Sequence, residues 1–312
     1  MRIIFFGSGK FAIPILDFLC NQNVYDLVAV VTQPDRKGGR GYKMLSTAVK
    51  DYCLTNKITV PVFHPQNVNS SEFIQIIKRF NPSLFVTAAY GQIFKEDLLK
   101  IPEIFAINIH ASLLPKYRGA APINWAIING EKITGVTIFR MNEKMDAGEI
   151  ISQAKCEISP FDTAITLEAK LSDLGKELLP KTLNMIAENK YHLQSQTGIP
   201  SYAPRLKKED GLINWEKTAF EIYNLIRGAQ PWPGAYTYLE GKLLKIFWAE
   251  VVEVNCKGEP GEIVEVGRDE FKVACGKNTL AIKELQLESR RRMTVKEFLS
   301  GYKIAPGIKL GT

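Results

Sequence analysis

Phe105-Ala106-Ile107-Asn108-Ile109-His110, running on into Ala111-Ser112-Leu113-Leu114-Pro115-Lys116-Tyr117-Arg118-Gly119, is the stretch that decides the fold class of this chain. Its first six residues are apolar at most positions and read as a buried strand, with polar side chains only toward the C-terminal end. Strand geometry repeats every two residues, so Asn108 and His110 emerge on one face. In open α/β sheets, ligands bind beyond the carboxyl ends of the strands. With three histidines in 312 residues, a histidine at that place stands out.

Outward from this strand the pattern alternates. Residues 2–6, 27–31, 84–88 and 135–139 are further short apolar runs, while residues 11–19 and 73–80 carry apolar side chains at helical spacing. Short apolar strands alternating with helices predict a doubly wound, mostly parallel, Rossmann-like sheet. Residues 163–187 predict a long amphipathic helix, striped by Leu167, Leu171, Leu174 and Leu178. The texture changes near residue 190. Residues 190–208 contain Gly198, Pro200 and Pro204 without clean periodicity and read as a linker. A helical pattern over 219–227 then leads to five short strand-like runs at 235–239, 243–249, 261–266, 271–275 and 279–283. Their spacing and glycine-containing turns suggest a C-terminal OB-like β-barrel, in which Trp232 is expected to pack. The expected division is therefore 1–189, a linker at 190–208, and 209–312.

The composition, 46% hydrophobic and 23% charged, is that of an ordinary soluble protein with material for a sizeable core. No apolar stretch approaches the roughly 20 residues that span a bilayer, and residues 1–7 are too short an apolar run for a signal peptide. Cys20, Cys53, Cys156, Cys256 and Cys275 are scattered and form no CxxC pair, which predicts reduced packing cysteines in a cytosol and no structural zinc. The formal charge of +7 is spread over both halves, so a polyanionic partner would have to be met by local clusters. Residues 35–43, with Arg36, Lys37, Arg40 and Lys43 on a glycine-rich frame, form one; Arg290-Arg291-Arg292 forms another.

Gly7-Ser8-Gly9-Lys10-Phe11-Ala12 follows a strand, opens a helix and fits the dinucleotide fingerprint, with Asp35 beyond the second strand as a ribose-binding acid would be. Alone it would suggest a nicotinamide-dependent dehydrogenase. A tight glycine turn is common in α/β folds, however, and Asp35 heads a basic loop, a poor place to hold the ribose of a dinucleotide. The preferred reading is a turn that packs the first helix on the sheet and that can also border a substrate site.

An amide, an imidazole and a carboxylate (Asp146 in Met145-Asp146-Ala147-Gly148) near one sheet edge suit acyl transfer to an amine. Asn108-x-His110, the block from Ser112 to Gly119, and Asp146 resemble the folate-dependent formyltransferases. So do Thr32-Gln33-Pro34-Asp35-Arg36, Gly39-Arg40-Gly41, Ala89-Tyr90-Gly91, Ile213-Asn214-Trp215 and Pro231-Trp232-Pro233, and the resemblance covers nearly the whole chain. It implies a formyltransferase catalytic domain and a tRNA-binding C-terminal domain, within the branch whose acceptor is initiator methionyl-tRNA. The implied co-substrate is 10-formyltetrahydrofolate, with no metal, no membrane partner and a monomeric state. A formyltransferase acting on a small amine, such as an amino sugar, is the alternative. By the same resemblance Asn108, His110 and Asp146 are catalytic. Ser112, Leu113, Leu114, Pro115, Tyr90 and Gly91 line the folate site, and Arg36, Lys37, Arg40 and Lys43 meet tRNA. Asp146 could accept a proton or orient His110; the residues alone leave both open.

Overall fold

The computed structural model describes residues 1–38, 43–254 and 257–311. Two compact units emerge. The first comprises Met1–Pro122, Ile133–Glu157 and Glu168–Ala203, and the second Ile123–Lys132, Ile158–Leu167 and Pro204–Thr312.

In the first unit, β1 (Arg2–Gly7) leads through a 3-10 turn to α1 (Ile13–Asn21), then β2 (Asp26–Val31), the hairpin β3 (Arg36–Gly38) and β4 (Lys43–Leu45), and α2 (Ala48–Thr55). Next come β5 (Val62–Phe63), α3 (Ser71–Lys78), β6 (Leu84–Ala88), α4 (Glu96–Leu99) and β7 (Phe105–His110). The chain continues with β8 (Arg118–Gly119), α5 (Pro122–Ile128), β9 (Ile133–Arg140), β10 (Ile150–Glu157), α6 (Ala164–Ala187) and β11 (Tyr202–Ala203). The main sheet has the order β10-β9-β7-β6-β1-β2-β5. Strands β5, β2, β1, β6 and β7 run parallel, as the alternating pattern predicts, while β9 pairs antiparallel to β7 and β10 to β9. No crossover helix of this unit separates β7 from β9, because α5 belongs to the second unit, and a parallel neighbour needs such a crossover.

Apolar runs explain the core. Ile4, Phe6, Val31, Phe85 and Ala106 from four strands bury against Phe73, Ile74 and Ile77 of α3. Phe6 makes edge-on contacts with Phe85 and Phe94 at 4.9 Å and with Tyr90 at 5.5 Å, the arrangement ring quadrupoles favour. Across α6, Gly175 leaves room for Ile109 and Ile15, and the Ser172 hydroxyl donates to Phe11 O at 2.6 Å.

The second unit carries α7 (Ala219–Gly228), β12 (Ala235–Leu239), β13 (Lys242–Val252), β14 (Ile263–Val266), β15 (Phe271–Ala274), β16 (Thr279–Leu287), β17 (Met293–Thr294) and α8 (Val295–Gly301). Its strands form an antiparallel, OB-like sheet of order β12-β13-β16-β15-β14, with β17 on β16. Among the described residues no pairing joins β12 to β14, so the sheet is not closed into a full barrel. Capping boxes at Thr218/Glu221 and Thr294/Glu297 start α7 and α8. Arg227 is buried, donating to Ser159 O, Asp162 O and Asn224 Oδ1.

Trp232 departs from expectation: it is 56% exposed, whereas Trp215 is buried and donates its indole N–H to Thr237. Trp232 sits between two prolines on a turn before β12, outside the alternation that sends side chains inward.

Candidate active site

Three loops of the first unit converge on the carboxyl end of β7. His110 is 6% exposed, and its Nε2 lies 2.9 Å from the carbonyl oxygen of Tyr117. A carbonyl only accepts, so Nε2 carries the hydrogen and Nδ1 is the other ring nitrogen, turned away from Tyr117. Nδ1 faces Asp146 Oδ2 at 3.7 Å. Asp146 is itself anchored, its Oδ2 accepting the Gly119 N–H at 2.8 Å. Gly119 has φ of +125°, and a Cβ there would stand 2.6 Å from Ala203 O, so only glycine brings this N–H to the carboxylate.

Asn108 lies one β repeat below His110. Thr87 on β6 donates its hydroxyl to Asn108 Oδ1 at 2.7 Å, so the amide oxygen is the held end and the NH2 carries the donors. Asn108 and His110 thus share a face, as the period-two reading required, and each has one polar atom pinned by the fold.

The loop that brings Asp146 to His110 is held by a residue from the stretch read as a linker. Gln196 Nε2 donates to Asp146 O at 2.9 Å and to Gly148 O at 2.8 Å, and its Oε1 accepts from Arg118 Nη2 at 2.6 Å. Gln194 bridges to Ile150, and β11 pairs with β8, so residues 194–203 form an edge of the first unit. Neither Gln196 nor Thr87 carried a sequence signal. Gln196 sits in an aperiodic stretch, and Thr87 is an ordinary strand residue whose partner is 21 positions away.

The Ser112–Pro115 block mostly faces inward. Ser112 is fully buried, with its hydroxyl donating to Lys116 O at 2.6 Å. Leu114 packs with Phe139 and Ile150, and its carbonyl accepts from Gln153. Leu113 and Pro115 are half-buried. Tyr90 is 5% exposed, and its buried hydroxyl has no hydrogen-bond partner among the described residues. Burial pushes its ionisation well above the usual phenol range. Gly91, at φ of +90°, is exposed beside it.

Of the four basic residues expected to meet tRNA, Arg36 is exposed and donates to Gln33 Oε1 at 2.9 Å. Arg40 lies outside the described residues, as do the side chains of Lys37 and Lys43. In the second unit, Arg291 pairs with Glu297 and Arg292 with Glu284, so two of the three arginines at 290–292 have carboxylate partners. Among the described residues no cluster of His, Cys, Asp or Glu is arranged to hold a metal ion, and no helix is long and apolar enough to cross a membrane.

Residues 1–183 match the formyl transferase family, and residues 205–303 match the formyl transferase C-terminal domain. The chain belongs to the formyl transferase family. Formyl transferases of full length are close to it. The methionyl-tRNA formyltransferase of Pelotomaculum thermopropionicum is 45% identical over 100% of this chain and 99% of its own. That of Caldanaerobacter subterraneus subsp. tengcongensis is 47% identical over 98% of this chain and 99% of its own. Among solved structures, an N-formyltransferase from Helicobacter canadensis in complex with folinic acid and dTDP-3-aminofucose superposes with a TM-score of 0.65. It is 23% identical, over 90% of this chain and 99% of that one. At that identity the likeness concerns the fold alone.

Proposed function

We propose that this enzyme transfers the formyl group of 10-formyltetrahydrofolate to the α-amino group of methionyl-tRNA, the initiator species, acting as a monomer. The observation that carries the reading is identity of about 45% to methionyl-tRNA formyltransferases over the full chain, second unit included. The amine nitrogen attacks the formyl carbon, the carbon–N10 bond of the folate breaks, and the amine proton ends on N10. Between these events, negative charge develops on the formyl oxygen. Asn108 Nδ2–H is one donor for that charge. His110 supplies a second from Nδ1 only as the imidazolium, since Nε2–H is committed to Tyr117 O. Asp146 at 3.7 Å supports that charged state and can receive the amine proton. Thus proton acceptance and orientation of His110 are two aspects of one carboxylate. Tyr90, through its unpartnered hydroxyl, and the Ser112–Pro115 wall would hold the folate. Arg36, Lys37, Arg40 and Lys43 would meet the tRNA backbone, a contact that weakens as salt rises. The test is formyl transfer to charged initiator methionyl-tRNA, with uncharged tRNA and a small amino sugar as parallel acceptors. Transfer to the charged tRNA alone is expected; transfer only to the sugar would replace this reading by the small-amine one.

A further inference from the structure

Beyond β2, the segment Gln33-Pro34-Asp35 carries two side chains that are each half satisfied. Gln33, 7% exposed, has Oε1 held by Arg36, while its Nε2 is buried with no acceptor among the described residues. Asp35 has Oδ2 held by Lys50 Nζ at 2.7 Å, while its Oδ1 is buried with no donor among the described residues. Buried polar atoms in native proteins find partners as a rule, so a free donor and a free acceptor two residues apart call for an explanation. Pro34 biases Gln33 to extended backbone, and residues at i and i+2 of extended chain project to the same side. The Gln33 amide looks toward the loop after β6: a Cβ placed on Gly91 would be 4.0 Å from Nε2. Ser8 joins the loops, accepting the Gln33 N–H at 3.0 Å and donating to Tyr90 O at 3.2 Å. All of this lies at the carboxyl ends of β1, β2 and β6, where chain order reverses across the sheet.

A group that donates and accepts at once would answer both atoms, and an alcohol hydroxyl is such a group. An alcohol hydroxyl donates its O–H to Asp35 Oδ1 and accepts an N–H from Gln33 Nε2. An anion would be repelled by Asp35, and an apolar group would leave both atoms unpaired. Of the two substrates, the folate has no alcohol. The terminal ribose of a charged tRNA has one free hydroxyl, the neighbour of the oxygen that carries the aminoacyl ester. We propose that Gln33 and Asp35 bind this vicinal hydroxyl, and so fix the end of the acceptor beside the site. The inference rests on the tRNA reading above. It also revises what Asp35 does: the acid beyond the second strand serves a ribose after all, but that of the acceptor substrate and not of a nicotinamide cofactor.

The test compares methionyl-tRNA ending in a ribonucleoside with the same tRNA ending in a 2′-deoxynucleoside, both charged on the 3′ oxygen. The native enzyme should lose about tenfold or more in kcat/KM on the deoxy substrate, as expected for a hydrogen bond to a charged group. Asp35→Ala and Gln33→Leu should each bring the ribo substrate down toward the deoxy value and narrow the difference between the two. The KM for 10-formyltetrahydrofolate should stay unchanged. Equal rates on both substrates with the native enzyme would show that these atoms are merely hydrated, and would overturn the inference alone. Full discrimination retained in either variant would overturn it too; if Asp35→Ala fails to fold without its Lys50 pairing, Gln33→Leu still decides. Absence of transfer to any methionyl-tRNA would remove the proposed function, and this inference with it.

Discussion

His110 Nδ1 and Asp146 Oδ2 face each other at 3.7 Å, each fixed from behind by a backbone group, the Tyr117 carbonyl and the Gly119 N–H. The gap is wider than a direct hydrogen bond and leaves the pair to tighten when a substrate arrives. Replacing Asp146 by Asn keeps the shape but removes the charge that supports an imidazolium. The expected outcome is a loss of about 10² to 10⁴ in kcat, with equilibrium binding of folate and tRNA nearly intact. A variant that lost binding and kept kcat would contradict the role given to the carboxylate.

Asn108 is set by Thr87. Asn108→Ala should lower kcat by about 10² to 10³, as removal of an oxyanion donor does. Thr87→Val keeps the volume and removes only the hydroxyl that pins Oδ1, freeing the amide to rotate. A smaller loss in kcat, roughly tenfold, is expected, because a typical hydrogen bond contributes about 1 kcal/mol. KM should be unaffected. Since a purely structural role for Thr87 would lower the melting temperature without touching kcat, the two readouts together separate the cases.

The strands near the site were legible wherever a run of apolar residues met its own period. β1, β2, β6 and β7 fall where residues 2–6, 27–31, 84–88 and 105–110 predict them, and Asn108 and His110 share a face because the strand period requires it. What could not be read is whatever depends on partners distant in sequence. That Thr87 orients Asn108, that Gln196 holds the Asp146 loop, and that Glu284 and Glu297 occupy Arg292 and Arg291 are facts of tertiary pairing, not of local pattern. The antiparallel pairing of β9 with β7 is likewise a fact of tertiary pairing. Trp232 was misjudged for the converse reason: a large aromatic usually packs, but proline on either side takes it out of the strand.

Asp17 gives a pH prediction. The Tyr52 hydroxyl donates to it at 2.7 Å, and Lys176 adds a second interaction at 3.3 Å. The Tyr52 hydrogen bond, with the Lys176 contact behind it, lowers the Asp17 carboxyl below its ordinary range although burial opposes the shift. A carboxyl depressed on folding contributes stability above its unfolded pKa of about 3.9 and loses it as pH falls through the folded value. Thermal melts of Asp17→Asn and the native protein should therefore differ most near neutral pH and converge in acid, below the ordinary carboxylate range. A difference that grew on acidification would have the wrong sign.

Gly148 couples stability to the site. A Cβ there would stand 1.7 Å from Arg140 O and 2.9 Å from the same carbonyl carbon, both backbone atoms that no rotamer change can move. Alanine must therefore push residues 141–148 away from β9, and Asp146 lies on that loop, held through the same Gln196 that holds Gly148 O. Gly241 is the control: its φ is +72°, but nothing lies within 4 Å of a built Cβ. Gly241→Ala should cost about 1 to 2 kcal/mol, for left-handed backbone alone. Gly148→Ala should cost more, at the exceptional end near 4 kcal/mol, and should reduce kcat even at a temperature where the variant is fully folded. Urea unfolding of both variants, with kcat measured alongside, checks the pair. Equal stabilities would mean the loop has slack to take up a methyl group, and Asp146 would then be less firmly placed than the hydrogen bonds from Gln196 and Gly119 require.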